Sequence, residues 1–295
     1  MKIEEIDIDK VIKCRFVEPI DNKIDELVHS IDNIQFNHVE VNNILKQVYQ
    51  SLNSIKLLIN NNDYVSSNSS IRSSLEHIAT AVAINESEKA YEEFVNLSLS
   101  HSKMKETKSV ELINTLNEVT FNIIKQKYYN NEPFENDPNF RDSVFYDTTN
   151  INLYDIYGYL CKFTHGSLFV SSYVNYDSTE EKEWLKKNVY MLFYFVKFIY
   201  YLILMYYSGE EDFISAEHII YTCILYLYSI INFAKENNVN NSKLFELTYE
   251  NHNEDFYSKG KNNAEIIAKQ IKFILECTLA KGKENNSLTE YLNIG

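Results

Sequence analysis

Apolar positions recur at intervals of three and four residues over most of this chain, the spacing of an amphipathic helix. Ile20, Ile24, Leu27, Val28, Ile31 and Ile34 open the pattern. Val41, Ile44, Leu45, Val48, Leu52, Ile55, Leu58 and Ile59 carry it to Asn60-Asn61-Asn62-Asp63, a polar break that predicts a helix end. The run Ser66-Ser67-Asn68-Ser69-Ser70 is rich in N-cap side chains and predicts the start of the next helix, which carries Ile71, Leu75, Ile78, Ala79, Val82 and Ala83. Its small residues suit close packing against other helices. Ser87 and Glu88 predict a further helical run through Tyr91, Phe94, Val95 and Leu97, continuing past an interruption near Thr107 to about Tyr129.

The character changes at residues 130–150, NNEPFENDPNFRDSVFYDTTN, where two of the three prolines and many Asn and Asp predict a long connection. Residues 153–173, LYDIYGYLCKFTHGSLFVSSY, predict a helix bent or interrupted at Gly166-Ser167. Two strongly apolar helices are expected next, at 188–207 and 214–234, joined by Ser208-Gly209-Glu210-Glu211-Asp212. Ile266, Ile267, Ile271, Ile274 and Leu275 predict a last helix over 264–279. The expected organisation is an N-terminal helical extension at 1–40, a helical bundle at 41–236 and a C-terminal helical tail at 237–295.

Composition supports an all-α chain. Only 6 glycines and 3 prolines in 295 residues leave little material for the turns of a β-sandwich or propeller. With 42 acidic against 28 basic residues the net charge is -14, which disfavours DNA coating, because neutralising phosphates takes clustered Lys and Arg. Four dispersed cysteines without a CxxC pair argue against a zinc knuckle or a disulfide framework. The start, MKIEEIDIDK, has neither the basic nor the apolar stretch of a targeting segment, so a cytoplasmic location is expected. NVYMLFYFVKFIYYLILMYY, residues 188–207, is long enough to span a bilayer at about 20 residues. It carries Lys197 near its centre, however, and no flanking Lys/Arg asymmetry fixes an orientation, so a buried core helix is the favoured reading over a membrane hairpin.

The chain lacks GxGxxG, GxxxxGK[ST], HExxH, GxSxG and the two ExxH motifs of a di-iron bundle, which removes the main support for dinucleotide, P-loop, zincin, hydrolase and di-iron readings. No cofactor and no metal site is expected. What remains is the polar cluster Ile71-Arg72-Ser73-Ser74-Leu75-Glu76-His77. Arg72 and Glu76 are four apart and should pair on one helix face, whereas His77 lies about 140° further round than Arg72. Only three arginines (Arg15, Arg72, Arg141) stand against 25 lysines, so an Arg within a packed helix suggests a need for forked hydrogen bonding. The second candidate is Phe163-Thr164-His165-Gly166-Ser167, with Tyr154, Tyr157 and Tyr159 upstream; a His at such an irregularity can move protons near neutral pH. Taken singly, each has a plainer reading: Arg72 with Glu76 as a structural ion pair, and His165 as a satisfied core group.

The order SSIRSSLEHIATAVAI, then EKAYEEF, then YGYLCKFTHGSLF resembles the all-α HEPN-like superfamily over residues 41–234. That resemblance implies a helical bundle and a metal-independent ribonuclease or nucleotide-binding site in bacterial anti-phage defence or stress response. It implies a homodimer with a composite site, an RNA or nucleotide ligand, and Arg72, His77, His165 and Glu76 as the site residues. Arg72 would stabilise the phosphorane and His77 would exchange protons, as Arg72 and His77 with four residues between them match the family spacing; in nearer relatives Arg72 is joined by Glu76 and His165. The alternative is a non-catalytic helical module that binds a partner protein and keeps Arg72, Glu76 and His165 as a structural network. A membrane-attached helical protein stands third.

Overall fold

The computed structural model describes residues 13, 17–100, 106–128, 153–161, 163–164 and 179–214. The described residues form seven α-helices and no strand, an all-α fold. The 130–150 connection, His165, the Gly166 bend and the helices expected at 214–234 and 264–279 lie outside the described residues, apart from Ile214.

Helix α1 (Glu18–His29) starts with Pro19 in its first turn, where a missing N–H costs nothing, and buries Ile20, Ile24 and Leu27. A 3-10 turn (Ile31–Asn33) leads to α2 (Val39–Asn60). Its buried Val41, Leu45, Val48, Leu52, Ile55 and Ile59 alternate steps of four and three, a single apolar seam. Acidic groups before α2 meet polar groups along it: Tyr49 donates to Asp25 at 2.9 Å, and Asp32 receives Lys46 at 2.6 Å and Asn42 at 2.8 Å. With Lys56 3.9 Å from Asp21, these contacts make a ladder between antiparallel strokes of chain.

Helix α3 (Tyr64–Glu86) begins earlier than the serine run predicts. Asp63, after Asn62 at φ +60°, accepts the Ser66 N–H at 3.1 Å and so caps the helix ahead of the serines. The serines then fall inside the helix, where Ser67 is buried and bonds back to the Asp63 carbonyl. Helix α3 is the hub of the fold, contacting α2 and four helices still to come. That is why Ile71, Leu75, Ile78, Ala79, Ala81, Val82 and Ile84 are buried on nearly every side of it, and why alanine and serine recur there.

Ser87 caps α4 (Glu88–Ser100) by accepting the Ala90 N–H. Helix α5 (Glu106–Tyr128) buries Ile113, Leu116, Thr120 and Ile123. Helix α6 (Leu153–Cys161) buries Leu153, Tyr157 and Leu160. It ends at Cys161 in a turn at Phe163 and Thr164, so it stops short of the Gly166 irregularity expected from the sequence. Helix α7 (Thr179–Ser208) closes at Gly209, whose φ of +70° is open to glycine at no steric cost. Tyr190 bonds Asn60 at 2.6 Å and Tyr207 bonds Glu86 at 2.9 Å, so α7 runs alongside α3 in the same direction.

Residues Leu185–Ser208 of α7 are apolar and long enough to cross a membrane, and 76% of that stretch is buried against the bundle. Lys197, in its middle, is 6% exposed and forms an ion pair with Asp21 of α1 while lying over the Phe193 ring at 5.7 Å. Within α7 the buried Tyr200 donates to the Leu45 carbonyl of α2 at 2.7 Å, giving its hydroxyl the partner that burial demands.

Candidate functional site

Two polar stripes meet where α6 crosses α3. On α3, Ser69, Arg72 and Glu76 occur at i, i+3 and i+7; on α6 and its turn, Tyr157, Cys161 and Thr164 occur at i, i+4 and i+7. Each set occupies one helical face, and the antiparallel crossing brings the two together.

Arg72 is the centre of the junction. Its Nη2 donates to Glu76 Oε1 at 2.8 Å and to the Tyr157 hydroxyl at 3.1 Å. The Tyr157 hydroxyl donates in turn to the same Glu76 Oε1 at 2.7 Å, closing a three-membered ring of hydrogen bonds. At the other end of the fork, Nη1 donates to Thr164 Oγ1 at 2.8 Å, and that hydroxyl donates to the Cys161 carbonyl at 2.9 Å. Ser69 adds a longer contact of 3.4 Å to the Phe163 carbonyl. The guanidinium also lies 5.3 Å from the centre of the Tyr157 ring, within cation–π range. A lysine could not make this set of contacts, because the planar fork reaches two elements at once.

The electrostatics follow from partial burial. The Arg72 side chain is 19% exposed and that of Glu76 29%. Burial works against the Arg72 charge, but the Tyr157 hydrogen bond and the Glu76 carboxylate outweigh it and hold the guanidinium above its ordinary value. Burial pushes the Tyr157 hydroxyl up to about 12, with Arg72 opposing and Glu76 adding, and Ser109 of α5 contributes a further hydrogen bond. Tyr157 is therefore a fixed proton donor at neutral pH. Burial likewise raises the Cys161 thiol, against the pull of the Arg72 charge. Two hydrogen-bonding positions are unpaired: Arg72 Nε is buried without a partner, and Glu76 receives both of its hydrogen bonds on Oε1, leaving Oε2 without one among the described residues.

Of the four residues singled out by sequence, Arg72 and Glu76 are joined as their spacing predicts. His77 is not brought to them: it makes no hydrogen bond to either, its Nδ1 is buried without a partner, and desolvation depresses its pKa against the pull of Glu76. His165 lies outside the described residues, directly after Thr164 in the sequence. Ser109 and Cys161 were not singled out as functional, although the matched polar stripes of α3 and α6 carry the signal for Cys161; Thr164 and Tyr157 belong to the second candidate segment, around His165. No cluster of His, Cys, Asp and Glu suited to a metal ion occurs among the described residues.

The sequence profile of a family of unknown function, DUF5677, matches residues 41–187, a span that holds α2 from its third residue, α3 to α6, the start of α7 and every side chain of the Arg72 junction. The chain matches no curated protein and no solved structure.

Proposed function

We propose that this chain is an HEPN-like helical protein that acts on RNA as a metal-independent ribonuclease, or binds a nucleotide, in bacterial anti-phage defence or stress response. The observation that carries this reading is the half-buried Arg72 guanidinium, held in one plane by Glu76, Tyr157 and Thr164 with Nε unused. A fixed, forked cation of this kind suits a phosphodiester, whose non-bridging oxygens gain charge as a phosphorane forms. The acidic balance of the chain makes recognition local to this cation rather than spread over a basic surface. In the cell this protein works in the cytoplasm as a homodimer.

The second reading, a non-catalytic module that binds a partner protein, is favoured by one specific observation: Glu76 neutralises Arg72 at 2.8 Å, as a structural pair would. Incubating RNA with the full chain in EDTA separates the two. Cleavage by the wild type that is lost in Arg72→Ala supports the nuclease, and His165→Ala reads whether that histidine takes part; equal background in all three leaves binding or structure.

A further inference from the structure

We propose that Glu76, rather than a histidine, is the general base at the Arg72 centre, and that Tyr157 is the residue that positions it. This rests on the ribonuclease reading above and assigns its proton transfer.

The geometry of the carboxylate is the argument. Both hydrogen bonds to Glu76 land on Oε1, one from Arg72 at 2.8 Å and one from Tyr157 at 2.7 Å. Two donors from two different helices pin Oε1, and among the described residues Oε2 is left to accept. A general base needs this combination of a fixed group and an open lone pair. The same Arg72 that holds Oε1 has its Nη1 tied to the hydroxyl of Thr164, an exposed residue whose neutral oxygen an anionic phosphate oxygen can displace. A phosphodiester seated on that guanidinium brings the adjacent 2'-hydroxyl to the neighbouring carboxylate. His77 makes no hydrogen bond to either member of the pair, and its Nδ1 is buried without a partner.

The step balances without a metal. Glu76 Oε2 takes the proton of the 2'-hydroxyl as the 2' oxygen bonds to phosphorus. Arg72 carries the charge that develops on the non-bridging oxygens. The bond from phosphorus to the 5' oxygen breaks, water protonates the leaving 5' oxygen, and Glu76 returns its proton to solvent. The products are a 2',3'-cyclic phosphate and a 5'-hydroxyl end. Tyr157, whose buried hydroxyl stays protonated, keeps Oε1 occupied throughout.

The test uses the full chain, EDTA and a labelled mixed-sequence RNA oligonucleotide, with its all-deoxy counterpart as the control for the 2'-hydroxyl. Wild type is expected to yield 2',3'-cyclic ends from RNA and nothing from DNA. Glu76→Gln should lower the rate by about 100-fold or more, the usual contribution of a general base. Tyr157→Phe should lower kcat with little change in KM, since the loosened carboxylate still meets bound RNA. Glu76→Asp guards against misfolding: at equal folded fraction it keeps a carboxylate and should retain more activity than Glu76→Gln. Glu76→Gln cleaving like wild type, or Asp and Gln variants losing activity equally, overturns the assignment while the nuclease reading stands. Absence of cleavage by the wild type overturns both.

Discussion

Among the described residues, the ion pairs of Lys197 with Asp21 and of Arg72 with Glu76 both lie within the bundle, and they differ in how far the cation is sealed from water. Lys197 is 6% exposed, sits in the middle of the most apolar helix and ties α7 to α1. Its ammonium has a carboxylate and the Phe193 ring as partners, and apolar neighbours fill the remaining space. Arg72 is more open, reaches three side chains on two elements, and retains a spare donor, while its carboxylate retains a spare oxygen. The first pair neutralises charge inside the core; the second stands nearer to water, with one carboxylate oxygen unpaired beside the cation. A buried ion pair in a helical bundle thus signals function only when its geometry keeps open positions beside it.

The sharpest way to break this contrast is to delete each cation and measure stability by urea denaturation. Lys197→Ala removes a buried stem and strands a mostly buried carboxylate, at an expected cost of about 3 kcal/mol, the low end for breaking a buried pair. Asp21 keeps Lys56 at 3.9 Å and some exposure, which is why the higher end is not expected. Arg72→Ala should cost only about 1.5 kcal/mol, because Glu76 and Thr164 can turn to water. Equal losses would make Arg72 as structural as Lys197 and remove the physical basis for treating the two differently.

How far each region was legible in the sequence follows the same division. The seam of α2, from Val41 to Ile59, reads directly from its spacing, because α2 buries one face and shows the other to water. The hub α3 reads poorly: five helices surround it, so its apolar residues occupy every face and no single stripe marks its role. Its start lies ahead of the predicted one because four serines and an asparagine outweigh one aspartate in any count of capping residues, whereas Asp63 is the one whose carboxylate meets the Ser66 N–H. Arg72 and Glu76 were legible because their contact is local. Thr164 and Tyr157 join them only through the antiparallel crossing of α6 on α3, and Asp21 meets Lys197 from near the opposite end of the described chain. A single sequence encodes such pairings only in the sum of its packing.

A medium effect tests the Arg72 side of the contrast through pH. An unfolded tyrosine ionises near pH 10, whereas Tyr157 in the folded chain is held up to about 12. Between those values the native chain binds more protons than the unfolded chain, so the stability Tyr157 supports is complete below pH 10 and is lost as pH rises through about 12. Tyr157→Phe should cost about 1 kcal/mol at neutral pH, for its lost bonds to Glu76 and Arg72. The gap to wild type should then narrow above pH 10, as read from urea midpoints across the alkaline range. A gap that stays constant to pH 12 would mean that the Tyr157 hydroxyl is not sealed as the ring of hydrogen bonds requires.

The smallest expected effect belongs to the ladder that holds α1 and its following turn against α2, and it separates that strap from the Lys197 pair it accompanies. Lys46, the first cause, and then Asn42 hold the Asp32 carboxyl below its usual value through hydrogen bonds at an exposed position. Its stabilising contribution is therefore present above the unfolded carboxylate pKa near 4 and lost as pH falls through the lower folded value. Because the pair stands in water, added salt screens it, with a Debye length of about 3 Å at 1 M. Asp32→Asn should lower the melting temperature slightly in dilute buffer at pH 7 and not at all in 1 M salt, whereas the loss in Lys197→Ala should persist in both. The reason lies in burial alone: the same two kinds of group attract across water in one case and across hydrocarbon in the other, and only the second attraction is out of reach of mobile ions. If the Asp32→Asn deficit survived high salt, the ladder would have to be packed rather than solvated, and α1 would be held by its polar edge as firmly as by Ile20, Ile24 and Leu27.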